Sequence, residues 1–175
     1  LLGVAATTFF LMGLMIGQYS STGSTNKTEL YECQLTGQVF LIDEGKKTAD
    51  DGAVVIVLPV DARIMERPAP QPLRPDEFQP IDNPSITAIE KIGGRVVRIN
   101  RAGEFDLTLQ GPREYFVLVI SRYGVRPDKE RIPKSTVSEI GGFFFPAEDL
   151  IGDRKFFLTR IVLNRRSQNL APIVF

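Results

Sequence analysis

Histidine is absent from this chain, and cysteine occurs once, at Cys33. Without histidine, the Ser-His and Cys-His nucleophile pairs, the commonest general base and every His-bearing metal site are excluded. A lone cysteine closes neither an internal disulfide nor a cysteine-rich zinc site. Set within an apparent strand, Cys33 reads as a small buried hydrophobe. Net charge is missing too, since 21 Lys+Arg balance 21 Asp+Glu. Nucleic acid is therefore not expected as the main partner, because phosphate binding needs a basic field. The local excess of Arg154, Lys155, Arg160, Arg165 and Arg166 reads as solvated strand edge. Asp43, Glu44, Asp50 and Asp51 crowd one pair of loops, and calcium accepts such oxygens, but their spacing matches no calcium loop. They read as solvated turn carboxylates. No carboxylate pair stands out for acid–base work, so the expectation is a non-enzymatic protein with no cofactor and no metal.

Charge is also missing from Leu1 to Tyr19. An uncharged apolar run of roughly 18 residues or more spans a bilayer core as a helix, and in lipid a helix is the conformation that satisfies its own backbone. Residues 1–19 are predicted to be a transmembrane helix and 20–30 a flexible spacer. A pilin-like filament helix, a buried core helix and a secretory signal are the competing readings. The signal lacks support, because no basic residue precedes the run and no Ala-x-Ala follows it. The spacer carries no basic residue before Lys27, which suits the outer side of a membrane. Gly13 and Gly17 form a GxxxG ridge that lets two helix backbones approach closely.

The remainder, 31–166, reads as one domain of short apolar runs separated by turns, as all-β sandwiches do. Strands are predicted at 34–42, 53–60, 95–100, 105–109, 115–121 and 154–164. The nearly continuous run Ala53–Val60 suits a central strand covered on both faces. Phe105, Leu107 and Leu109 alternate and should face inward. Arg101-Ala-Gly-Glu104 is expected to close a hairpin. Two stretches break the rhythm. Residues 62–84 carry six prolines and read as an extended, polyproline-like insert without its own secondary structure. Residues 133–151 read as a helical insert. Its first helix starts at a Thr136–Glu139 capping box with Val137, Ile140 and Phe144 on one face, and Gly141 and Gly142 limit it. A second short turn follows Pro146.

The order of turns and strands is informative. Leu35-Thr-Gly-Gln-Val39, Asp51-Gly-Ala-Val54, Arg101-Ala-Gly-Glu-Phe105, and Gly111 leading into Tyr115-Phe-Val-Leu-Val-Ile120 resemble the carboxypeptidase regulatory-like domains. These belong to the transthyretin-like and collagen-adhesin B-type sandwiches. The resemblance implies an all-β, Greek-key sandwich of the seven-stranded type, with Phe105 and Tyr115 filling the core. With the N-terminal anchor, the chain looks like bacterial cell-envelope proteins whose domains are non-catalytic modules. Some adhesin relatives crosslink a first-strand Lys to an Asn or Asp on the last strand. Here Asn164 ends the last strand but 34–42 contains no Lys, so that crosslink is not carried over.

The apolar features left outside this frame are candidate protein contacts. They are Pro68, Pro70, Pro72, Pro75 and Phe78 in the insert, the triplet Phe143, Phe144 and Phe145, and Ile173, Val174 and Phe175 in an apolar tail at 167–175. Three consecutive aromatics cannot all point inward from one helix face, so at least one ring should reach the surface. The tail could dock in a neighbour's groove or add to an exposed sheet edge. The expected function is a non-catalytic, single-pass accessory subunit that braces the extracytoplasmic face of a membrane complex, with other membrane-protein subunits and the bilayer as partners. A pilin-like filament subunit that assembles with itself is one alternative, although Ala5 stands where bacterial pilins usually carry Glu. A cell-envelope binding module is the other.

Overall fold

The computed structural model describes residues 30–77, 82–128 and 130–175. The predicted span 1–19 with Gly13 and Gly17, all of the spacer but Leu30, and Phe78 lie outside the described residues. Among the described residues no helix is long and apolar enough to cross a membrane.

The fold is a β-sandwich. Period-two alternation builds its first sheet. Strand β1 (Tyr31–Asp43) turns Cys33, Leu35 and Val39 into the core and Gln34, Thr36 and Gln38 away from it. Its partner β2 (Lys46–Ala49) follows a turn in which Glu44 and Gly45 both take positive φ. The second sheet is more apolar. Strand β3 (Val54–Pro59) is buried at every position, as a run covered on both faces requires. It lies between β4 (Arg95–Arg98) and β6 (Arg113–Val125). Strand β5 (Glu104–Gly111) returns to the first sheet, alternating exposed and buried, with Phe105, Leu107 and Leu109 inward as expected. Strand β7 (Arg154–Leu163) closes the second sheet, whose order is β4-β3-β6-β7.

The 100–104 turn differs from the expected hairpin. Strands β4 and β5 belong to different sheets, so it is an arch between layers. The Asn100 side-chain oxygen accepts from Ala102 N and Glu104 N, both at 2.9 Å. Gly103 takes the left-handed conformation (φ 82°) that a Cβ would strain.

Among the described residues nine strands form rather than seven, because the segment read as an outlying tail is part of the sandwich. Strands β8 (Ser167–Asn169) and β9 (Ile173–Val174) run parallel to β1, on the edge opposite β5 and β2. Leu170 N donates to Thr36 O (2.9 Å), and Phe175 N to Phe40 O (3.0 Å). Burial of Ile173 and partial burial of Leu170 and Phe175 against the inter-sheet core hold the segment there.

A third layer covers the outer face of the second sheet. Val54, Ile56 and Leu58 of β3 and Phe116, Leu118 and Ile120 of β6 pack against Leu73, Ile89, Ile140, Phe143, Phe144, Leu150 and Ile151. Leu73 comes from the first insert, Ile89 from the helix that follows it, and the other five from the second insert. The 62–84 insert is not wholly irregular: Gln71–Leu73 is a 3₁₀ turn that buries Leu73. Helix α1 (Pro84–Lys91), absent from the expectation, follows directly. Asn83 caps it by accepting from Ser85 N (2.9 Å), and Pro84 occupies the first turn, where no amide is needed. Helix α2 (Lys134–Ile140) starts two residues earlier than expected, with Pro133 before it and no side-chain cap. The expected capping box does not form: Thr136 lies within the first turn and is buried. Gly141 ends the helix, and α3 (Glu148–Ile151) supplies the second turn.

Candidate interaction surface

Proline insertion and a helical layer raise the question of which apolar groups are used up inside the chain and which remain outside. Pro70 and Pro75 are buried, and Pro68 and Pro72 half-buried. The insert is thus a cover for the second sheet and not a free arm. Arginines hold its backbone. The Arg98 guanidinium, on β4, donates to four carbonyls: Gly52 O (3.2 Å), Pro75 O (2.7 Å), Arg74 O (3.1 Å) and Glu77 O (2.6 Å). Five fixed donors on a planar fork suit such a cluster of carbonyls. Burial, and then the nearby Arg122 charge, pull Arg98 below the ordinary guanidinium range, while Asp76 acts in the other direction. Arg113 holds the start of the insert through Asp61 (2.7 Å) and the end of α1 through Ile92 O (3.4 Å). Asp76 lies between Arg74 (3.6 Å) and Arg154 (3.7 Å), tying the insert to β7. Helix α1 is tied in as well, since Ser85 Oγ donates to Ala69 O (3.0 Å) and Asn83 Nδ2 to Pro72 O (3.3 Å).

The aromatic triplet divides sharply. Phe143 and Phe144 are fully buried, Phe143 edge-on to Phe116 with centroids 6.4 Å apart, while Phe145 is 71% exposed. The first two are therefore core groups of the third layer, each worth roughly 1.5–3 kcal/mol of burial, and only Phe145 is free to touch a partner. In the tail Ile173 is buried and Phe175 half-buried, which leaves Val174 exposed. The docking edge expected for the tail is β1 of its own chain.

Exposed and half-buried apolar side chains meet where the insert joins α1. A groove of about 640 Å³ runs between Arg63–Glu66 and α1, with Ile64, Met65, Pro84, Ala88 and Ile92 as its apolar walls and Glu66, Asp82 and Lys91 among its charged ones. Met65 is 98% exposed. Arg63 links this groove to the aromatic triplet: its guanidinium lies 5.8 Å from the Phe143 ring centroid, and its stem would be 3.1 Å from a Cβ at Gly142. Phe145 follows within the same short loop. A groove of this kind, apolar with a charged rim, accepts a protein surface or an apolar segment.

Other depressions are less suited. One of about 740 Å³ is lined by Thr36, Gln38, Glu104, Asp106 and Asn169 together with Phe105 and Leu170. Its polar groups are already paired: Thr36 Oγ1 donates to Asn169 (3.2 Å), Gln38 Nε2 to Glu104 (3.5 Å), and Asp106 accepts from Gln34 Nε2 just outside it (2.8 Å). The acidic loops hold no cluster of ligating side chains among the described residues. Asp50, read from sequence as solvated, is buried. It accepts from Ser121 Oγ (2.5 Å) and Arg122 N (3.2 Å), and Ser121 Oγ accepts in turn from Gly124 N (2.7 Å). This network fastens the β2–β3 turn to the irregular end of β6. Cys33 is buried as expected, and burial pushes its thiol up. Burial likewise raises Tyr115, whose hydroxyl donates to Gln110 O (2.6 Å).

The residues that sequence reasoning missed are Arg98, Arg113, Asp50 and the Asn83–Ser85 helix start. Only the last had a legible signal: Asn-Pro before isoleucines at 86, 89 and 92 is a helix start with an apolar stripe.

No family model matches the chain, and no curated protein matches it. Among solved structures it is similar to a Pseudomonas aeruginosa protein whose proposed role is carbohydrate binding, at 12% identity and TM-score 0.44, covering 82% of this chain and 88% of that one. It is also similar to the minor pilin of Streptococcus agalactiae, at 11% identity and TM-score 0.39, covering 82% of this chain. The match spans 43% of the pilin's length. The two packed sheets make the chain a β-sandwich, and no family model carries the finer carboxypeptidase regulatory-like assignment.

Proposed function

We propose that this chain is a non-catalytic structural subunit, tethered to a membrane by residues 1–19, whose sandwich braces other membrane-protein subunits through its helical third layer. The observation that carries the reading is the groove between Arg63–Glu66 and α1, with Met65 almost wholly exposed beside it and Phe145 exposed on the adjoining loop. Exposed large apolar groups on an otherwise well-buried layer favour a partner that covers them. The uncharged opening 1–19 and the absence of histidine support a brace over an enzyme.

Photo-crosslinking from positions 66 and 91, on the charged rim of the groove, of the full chain in native membranes tests this. The expected products are heterologous crosslinks to membrane subunits, lost after Met65→Asp and Phe145→Asp in protein whose melting temperature is unchanged. Crosslinks solely between copies of this chain, in a particle that grows as a homopolymer without detergent, would replace the reading with the filament alternative. Turnover of a substrate by the purified chain would overturn both.

A further inference from the structure

The second sheet ends on β7, and among the described residues no backbone hydrogen bond joins Lys155–Leu163 to any strand but β6. An edge of this length is a template for another strand. Exposed large apolar residues flank this edge on both faces: Phe157 and Val162, on opposite faces of β7, with Tyr123 and Val125 at the end of β6 beside it. The unpaired charges along the edge have one sign. Arg154 and Arg160 are balanced by Asp76, Asp153 and Glu114, but Lys155, Arg165 and Arg166 have no carboxylate within 4.0 Å among the described residues.

From this combination we infer that β7 is a strand-addition site for an extended, acidic segment of another polypeptide. Main-chain pairing along Lys155–Leu163 supplies the affinity, and carboxylates of the incoming strand meet Lys155, Arg165 and Arg166. A second copy is the poorer occupant. Antiparallel self-pairing centred on Arg160 brings Arg154 and Lys155 of each copy to the Arg165–Arg166 turn of the other, and parallel in-register pairing sets every cation against itself. Like charges directly opposite are unfavourable. This site uses residues different from those of the Met65 groove and stands or falls separately from it.

The test titrates the full chain in detergent with a synthetic peptide alternating glutamate and valine, long enough to span Lys155–Leu163. Two further peptides replace glutamate by lysine or carry N-methyl groups on alternate backbone nitrogens. The acidic peptide is expected to bind and to slow amide exchange across Lys155–Leu163. N-methylation and the lysine replacement should each abolish binding, and the double variant Lys155→Glu, Arg165→Glu should weaken it roughly tenfold. Failure of the acidic peptide to bind overturns the inference, as does equal binding of the lysine or the N-methylated peptide. Self-association through β7 without any peptide also overturns it.

Discussion

At Gly111 a single missing side chain sets the packing between the two sheets. A Cβ there would lie 2.4 Å from Cys33 Sγ, closer than a relaxed structure keeps, and a tight 3.0 Å from Leu163 O. Gly111→Ala should cost about 1–3 kcal/mol by overpacking, and adding Cys33→Ala should recover part of the loss, because the sulfur leaves while the carbonyl stays. Urea unfolding of the two single variants and the double variant measures that coupling. Asp50 presents the opposite case, a group that must be present. Asp50→Ala leaves the Ser121 hydroxyl and the Arg122 amide without their acceptor, and the loss should be about 2–3 kcal/mol in the same assay. The raised Cys33 and Tyr115 groups give a pH signature. Both are acids held neutral by burial, so the unfolded chain releases their protons first as pH rises. Their contribution to stability is complete below the unfolded thiol range, near roughly 8.5, and declines above it. Denaturation midpoints should therefore fall on going from neutral to strongly alkaline pH, less steeply in Cys33→Ala than in the parent.

Elements differ in how plainly their residues announce them. Strands β3, β5 and β6 were legible because burial on two faces, or on one, writes itself as a continuous or an alternating apolar run. The triplet at 143–145 was half legible: that one ring must lie outside follows from helix geometry, but that the outer one is Phe145 follows from the loop after α2. The third layer was not legible as a layer. Its apolar residues come from three separate stretches, and the proline-rich one among them takes its order from Arg98, a β4 side chain distant in sequence and indistinguishable there from a solvated cation. Nor did the apolar groups at 170–175 show where they would pack, since a parallel partner requires no adjoining turn. The insert's dependence on Arg98 is testable. Arg98→Met should leave four carbonyls short of a donor, destabilise by about 2–4 kcal/mol, and open residues 74–77 to limited proteolysis, whereas Arg98→Lys should restore only part of the protection.

For the whole molecule, three stacked layers share one middle sheet. The inter-sheet core and the core beneath the helices meet through β3 and β6, whose alternate side chains belong to one or the other. Damage to either face should therefore lower one cooperative transition rather than release a separate part. The groove beside Met65 lies on the helical layer and the β7 edge on the middle sheet, so one cooperative fold holds the two surfaces at a fixed separation.

The parallel pairing of β8 and β9 with β1 has a consequence for biogenesis. A ribosome delivers β1 long before the segment that covers its far side, so throughout elongation one row of its amides and carbonyls, and the apolar floor that receives Ile173, must wait in water. Closure is a late, long-range event. A chaperone that shields nascent strands would find its target there, at a strand made long before its last partners.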